Sequence, residues 1–332
     1  MKKRITIQDI ANYLGIDKST VSRALAGSPR VKPETLKKVR LACEQLNYIP
    51  NQTAKTLASS RSNSLVLLIP SLSNEIFADI VLGAKQQCAA AGYTLLIGDT
   101  AYSPLEEESL VRQYLQQNVA GFVLTETTHS ENTLRLLREA ELPVIEIMDC
   151  SQPANFNQTI GIDNDQAARQ VTEYLIQKGR TKIAFCSCFL DNRAAIRRHA
   201  WAETLQQHDL SSDRTLTLTG LTSFSNGAES IIEIIRRWPD TDAVVYINDD
   251  LAAGAALEAT RRGLVVGKDI DLFGFNDLEY SRHLIPDISS VRTPRAEMGA
   301  LAFSNLIQIL HGAPLQAQRI KLDYELILRS SA

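Results

Sequence analysis

The sequence predicts a small all-α helix–turn–helix head followed by a two-lobed α/β body with parallel sheets. Three observations carry this. Residues 5–27 read as two short amphipathic helices joined at a glycine, and residues 1–61 are strongly basic within an acidic chain. Beyond residue 64, apolar strand-like runs alternate with amphipathic helical stretches.

The first helix spans about residues 7–14, with Ile7, Ile10, Ala11 and Leu14 on one face. The second starts near Asp17 and packs through Val21 and Leu25. Thr6 and Asp17 precede the two starts, where short polar side chains cap exposed N–H groups. Gly15 supplies the backbone freedom of a tight turn. Such a pair presents the start of its second helix to a DNA major groove. The exposed residues there are Lys18, Ser19, Ser22 and Arg23. Residues 1–61 hold twelve Lys and Arg against four acids, about +8 in a chain of net −3. A basic head on an acidic body suits a polyanionic partner without making the whole chain adhesive.

A third helix follows Pro33, with Leu36, Val39, Cys43 and Leu46 at helical spacing; proline suits a first helical position. Pro50 ends one element, and residues 51–59 can form two turns, too short to be stable alone. They are expected to order only when something else holds them. Serines 59, 60, 62 and 64 mark a polar boundary. The expected division is 1–47 for the head, 48–62 for a hinge helix and linker, and 63–332 for the body.

In the body, strands are expected at 65–69, 94–98, 121–124, 144–148, 182–186, 243–247 and 271–275. Helices are expected at 76–91, 105–117, 166–178, 196–207, 227–237, 251–262 and 296–310. Alternation of this kind implies parallel sheets covered on both faces. Residues 63–332 exceed what one open sheet uses, so two lobes are expected, roughly 63–160 plus 293–322 and 161–292 plus 323–332. Ligands of such sheets lie beyond the carboxyl ends of strands. That selects residues 70–77, Thr125 and Glu126, Asp149, the loop around Asp191, Asn248 to Asp250, and Asn276 with Asp277.

Other classes are disfavoured. No apolar run approaches the ~20 residues of a membrane span. The basic start is followed by Gln8, Asp9 and Asn12 rather than an apolar leader core. Five scattered cysteines fit a reducing compartment, so a cytoplasmic, nucleoid-associated location is expected. Cys186 and Cys188 read as small core residues rather than metal ligands. The chain has no Gly-x-Gly-x-x-Gly after a strand, no P-loop and no His-Glu-x-x-His. Asp249 and Asp250 have no organised base or metal set around them. No catalytic residue, cofactor or metal is therefore expected. A two-lobed sugar-binding protein or an enzyme on this scaffold is the alternative from another class.

Five stretches, Ile7–Ala11, Thr20–Arg23, Leu46–Asn51 with Ala54 and Leu57, Asn248–Asp249 ahead of Ala253–Ala255, and Gly274–Asp277, resemble the lactose-repressor family of bacterial transcription regulators. The resemblance covers the whole chain and implies a periplasmic-binding-protein-like body. It places Lys18, Ser19 and Arg23 where bases are read, with a phosphate as the alternative partner of Lys18. Arginine can bond a guanine edge with two hydrogen bonds. Thr6, Ser22 and Asn51 fall where backbone contacts position the protein. Ala54 and Leu57 belong to the hinge helix, with Leu57 as a wedge into the minor groove, or alternatively packed into a hairpin core.

For the effector, the resemblance implies an apolar wall of Ile76 and Phe77, Arg197 holding ligand oxygens, and Asn248 and Asn276 bonding hydroxyls. Glu126, Asp149 and Asp191 stand in the loops beside them. Ala200 replaces a common glycine, and Asn276 a frequent aspartate. Residues 124–129, 143–149 and 293–299 resemble the gluconate-repressor branch. Arg197 and Arg295 together would clamp a carboxylate; the alternative for Arg295 is an interdomain ion pair. Asp191 and Arg193 belong to a pocket loop or to a solvated charge pair. The expected partners are a pseudo-palindromic double-stranded operator, a second copy of the chain, and a sugar acid such as gluconate. A neutral sugar or a purine-type corepressor is the alternative effector, and no membrane partner is expected. No leucine heptad follows Leu328, so a dimer is expected rather than a zipper-built tetramer.

Overall fold

The structure, a computed structural model of the 332-residue chain, describes residues 5–25, 28, 30–48, 63–188 and 192–332. It divides into two compact units, Met1–Arg61 and Ser62–Ala332.

In the first unit, helices Ile7–Leu14, Lys18–Leu25 and Pro33–Gln45 close around Ile10, Ala11, Val21, Ala24, Val39 and Ala42. Thr6 and Asp9 cap each other. The Thr6 hydroxyl accepts the Asp9 N–H at 3.3 Å, and the Asp9 carboxylate accepts the Thr6 N–H at 2.8 Å. This reciprocal box satisfies two N–H groups that a helix start leaves open. Gly15 follows at φ 64°, a left-handed conformation that costs glycine little. Asp17 accepts the Ser19 N–H at 2.7 Å, and Pro33 opens the third helix.

The second unit contains two parallel sheets. One joins β1 (Ser64–Ile69), β2 (Thr94–Asp99), β3 (Gly121–Leu124), β4 (Val144–Asp149), β5 (Gln158–Ile162) and β11 (Arg319–Lys321) in the order β11-β5-β4-β3-β1-β2. Its strands are continuously apolar because helices cover both faces. Leu65, Leu67 and Ile69 point to one side, against Phe77, Ile80 and Phe303. Val66 and Leu68 point to the other, with Phe122, Leu124 and Leu137. The second sheet joins β6 (Ile183–Cys188), β7 (Thr215–Leu218), β8 (Ala243–Tyr246) and β9 (Asp271–Phe273) in the order β7-β6-β8-β9. Its core holds Phe185, Trp201, Tyr246 and Phe273, together with Cys186 and Cys188. A short antiparallel ladder of β10 (Ser290–Arg292) with β12 (Glu325–Ile327) completes this lobe.

The chain passes between the lobes three times among the described residues. It leaves β5 for helix Asn164–Gln177, returns from β10 into helix Arg295–Leu310, and leaves again between β11 and β12. In each lobe a glycine lets two helices touch backbone to backbone. A Cβ at Gly83 would run into the Ala296 carbonyl, and one at Gly254 into the Phe224 carbonyl. Helix Glu131–Glu139, β5, β7 and the three-residue strands β10, β11 and β12 were not expected from the sequence.

One buried polar cluster bears on stability. His129 lies between Glu107, at 2.8 Å from Nδ1, and Glu146, at 3.3 Å from Nε2. Asn155 donates its backbone and side-chain N–H groups to Glu146 at 2.8 and 2.6 Å. Burial alone would lower the imidazole pKa; hydrogen bonds to the Glu107 and Glu146 carboxylates, with their charge, outweigh it and raise the value from 6.5 to about 9. Between those values the folded chain holds a proton that the unfolded chain has released. Stability should therefore fall as pH rises from 6.5 to 9, at up to about 1.4 kcal/mol per pH unit. Urea melts across that range should show the slope in the parent chain and its loss in His129→Gln.

Candidate functional site

The head presents one polar face. Lys18, Ser19, Ser22 and Arg23 are all exposed on helix Lys18–Leu25, while Val21 and Ala24 turn into the core. Positions 18 and 22, and 19 and 23, are neighbours at i,i+4. The face therefore carries two cations and two hydroxyls at the start of a helix. Thr6 is exposed at the capping box, where its hydroxyl also donates to Asp9 at 2.7 Å. Asn51, Ala54 and Leu57, with the expected hinge helix, lie outside the described residues, as does Asp191.

In the body, a small cavity of about 30 Å³ lies between the lobes. Asn74, Ile76, Tyr102 and Met148 reach it from the first lobe. Arg193, Ala194, Arg197, Thr222, Ile247, Asn248 and Asn276 reach it from the second. Met148 stands near the carboxyl end of β4, and the others follow the carboxyl ends of β1, β2, β6, β7, β8 and β9, as parallel sheets require of a ligand site. Three of them, Tyr102, Met148 and Asn276, are non-glycine residues at positive φ of 56°, 84° and 99°. Strained backbone of this kind collects where a site demands a particular side-chain direction.

Arg197 is the most heavily supported of the group and only 8% exposed. Its Nε and one terminal nitrogen donate to Asn164 Oδ1 at 2.9 and 2.8 Å. The other terminal nitrogen donates to the Ile247 carbonyl at 2.8 Å. The guanidinium carbon lies 3.4 Å from the Phe275 ring centre, a cation–π contact. Asn164 in turn donates to Asp149 at 2.8 Å, so Asp149 positions Arg197 at one remove and does not itself line the cavity. Arg193 donates to the Thr125 carbonyl at 3.0 Å and to Glu126 at 2.9 Å. Glu126 thus reaches across from the first lobe to hold a cavity arginine rather than facing the cavity.

Asn248 caps helix Asp249–Arg261 through its Oδ1 and donates its amide to Asp250 at 2.9 Å. Asn276 is 3% exposed, and its Oδ1 has no hydrogen-bond partner among the described residues. An unmet buried acceptor costs about 1–3 kcal/mol until a donor reaches it. The neighbouring backbone is anchored by Asp249, whose carboxylate accepts from the Ser290 hydroxyl and the Leu278 N–H, both at 2.6 Å. Full burial lifts that carboxyl to about 7.

Besides Glu126 and Asp149, expected at the effector and found supporting Arg193 and Asn164, two further expectations are corrected. Phe77 is 1% exposed and packs into the first-lobe core, so of the pair only Ile76 lines the cavity, beside Met148. One residue along a helix rotates the side chain by about 100°, enough to turn it from cavity to core. Arg295 does not reach the cavity. It donates to Asp79 at 2.9 and 3.1 Å, to Thr293 at 3.3 Å, and to the Asn276 carbonyl. Asp79 stands one turn beyond Ile76 and is a tethered anion, always within reach of that guanidinium. Asn74, Tyr102, Asn164 and Thr222 were missed as individual site residues, although Asn74 lies within the expected 70–77 loop.

A larger recess of about 480 Å³ adjoins the small cavity and shares Asn74, Tyr102 and Thr222 with it. Glu75, Asp250, Tyr280 and Phe224 stand around it. The Tyr280 hydroxyl donates to Asp250 at 2.5 Å, and its ring meets Phe224 edge-on at 5.1 Å.

A family model of bacterial regulatory proteins, the lacI family, matches residues 6–51, and one of periplasmic binding protein-like domains matches residues 172–332. The HTH-type transcriptional regulator GntR of Escherichia coli (strain K12) is 33% identical over 325 residues, 98% of each chain. The chain belongs to the lacI family. IdnR of the same organism is likewise 33% identical, over 324 residues and 97% of each chain. A crystal structure of a lacI-family regulator from Silicibacter pomeroyi superposes with a TM-score of 0.92 at 28% identity, covering 98% of this chain and 99% of that one. As a lacI-family member the chain is a DNA-binding transcription regulator with an effector-binding body, and not an enzyme. No helix among the described residues is long and apolar enough to cross a membrane.

Proposed function

We propose that this lacI-family regulator is a homodimeric repressor of a pseudo-palindromic operator, and that a sugar acid such as gluconate, held between the lobes, controls its grip. The observation that carries the effector reading is the meeting of Arg193, Arg197, Asn248 and the unmet Asn276 acceptor at one cavity. Guanidinium groups take carboxylates, and amides take hydroxyls. The stretches resembling the gluconate-repressor branch support the same class. Lys18, Ser19 and Arg23 read bases in this scheme, with Thr6, Ser22 and Asn51 on phosphates, and Ala54 and Leu57 in the minor groove.

Control requires that the ligand bind one arrangement of the lobes better than the other, and the coupling is reciprocal. Contacts that join the lobes beside the cavity include Arg193 to Glu126 and to the Thr125 carbonyl, Asn164 to Asp149, and Arg295 to the Asn276 backbone. A ligand drawing on Arg193 and Asn276 acts on the contacts that those two residues make. Fluorescence anisotropy on DNA upstream of the chain's own coding sequence, with and without gluconate, tests the reading. A shift in operator affinity of tenfold or more is expected. An operator affinity indifferent to every aldonate, with no heat of binding by calorimetry, would reject a sugar-acid effector.

Arg23→Ala should weaken operator binding by about 1–3 kcal/mol and relax preference at one base pair. Selection of binding sites from a randomised pool by parent and variant checks this; an unchanged preferred base would remove Arg23 from the reading face.

A further inference from the structure

We propose that the cleft is charge-polarised along its length, so that Glu75 and Asp250 at its outer end admit aldonic acids and turn away sugar acids with a second anionic group. The inference rests on the sugar-acid reading and narrows it to one class of acid and one orientation.

The inner cavity, at about 30 Å³, takes a carboxylate-sized head and not a six-carbon chain. A longer ligand must extend through the shared residues Asn74, Tyr102 and Thr222 into the outer recess of about 480 Å³. The two ends differ in charge. The inner end is lined by Arg193 and Arg197. Among the described residues lining the outer end there is no Lys or Arg, but two carboxylates, Glu75 and Asp250.

Asp250 is held in place by the Asn248 amide at 2.9 Å and the Tyr280 hydroxyl at 2.5 Å. These two bonds direct its carboxylate at the recess. Asn276 is 97% buried, and its Oδ1, without a partner among the described residues, asks for a hydroxyl donor at the inner end. A 2-hydroxy carboxylate satisfies both inner requirements, with its carboxylate toward the arginines and its hydroxyl toward Asn276. Its remaining hydroxyls then meet acceptors at the outer end, where each has a proton to give. A terminal carboxylate or phosphate has none and carries a charge of the same sign as Glu75 and Asp250, in a recess screened less than open water.

Isothermal titration calorimetry on the full chain with D-gluconate, D-glucarate and 6-phospho-D-gluconate tests this. Gluconate should bind at least tenfold more tightly than either dianion. The ratio should fall at least threefold in Glu75→Gln and close to unity in Glu75→Gln with Asp250→Asn. Glucarate within threefold of gluconate in the parent, or a ratio that both variants preserve, overturns the selectivity while leaving the sugar-acid reading standing. A parent chain that binds none of the three acids removes both. If the double variant fails to fold, Glu75→Gln decides, because that side chain is exposed.

Discussion

Arg197→Met is expected to weaken sugar-acid binding at least a hundredfold, about 2.7 kcal/mol, and to leave operator binding that no longer moves with ligand. The methionine keeps most of the stem packing and removes the charge and three hydrogen bonds to Asn164 and Ile247. Asn164 then loses both donors to its Oδ1 and depends on water, so a modest drop in melting temperature accompanies the loss. Calorimetry separates the two effects: the far-ultraviolet spectrum should be unchanged while the binding heat disappears. Binding within fivefold of the parent would show that Arg197 holds the lobe together without holding the ligand.

Gly254→Val should destabilise the body by about 3 kcal/mol or more, the upper range for overpacking. The atoms it meets are the Phe224 backbone, not a flexible side chain that can step aside. Helices Phe224–Arg237 and Asp249–Arg261 would have to part, drawing Asn248 and Asp250 away from the cleft. Chemical denaturation measures the loss. A variant as stable as the parent would mean that these helices are held at their distance by something other than direct backbone contact.

That glycine shows where sequence reading succeeds and where it stops. Gly254 was visible as part of a family stretch, but its physical reason needs Phe224, thirty residues away, to be seen touching it. The head was legible because its signals are local: Thr6, Gly15 and Pro33 each act within a turn of their own position. The two-faced strands were legible because Leu65 to Ile69 is apolar without a break. Strands such as Arg319–Lys321 were not, because three half-polar residues pair only when Thr159 and Ile160 lie beside them.

The cleft was legible as a set of loops and less so as a set of side chains. Arg197, Asn248, Asn276 and Ile76 were singled out and line the cavity. Arg295 was placed with them because nothing local to it announces Asp79, 216 positions earlier. Phe77 was misplaced although the helix start was expected at residue 76, because two adjacent apolar residues point about 100° apart and the sequence does not say which of them faces the cavity.

The threefold passage of the chain between its lobes has a consequence for how such a regulator can change its taste in metabolites. Neither lobe is encoded by one uninterrupted stretch, so no single gene segment can be traded to graft a foreign half onto this one. A crossover anywhere between codons 164 and 292 yields a chimaera mixed within the second lobe and severed from its own closing strand, Glu325–Ile327. New specificity in this architecture therefore comes by exchange of individual cleft residues or by transplant of the entire body.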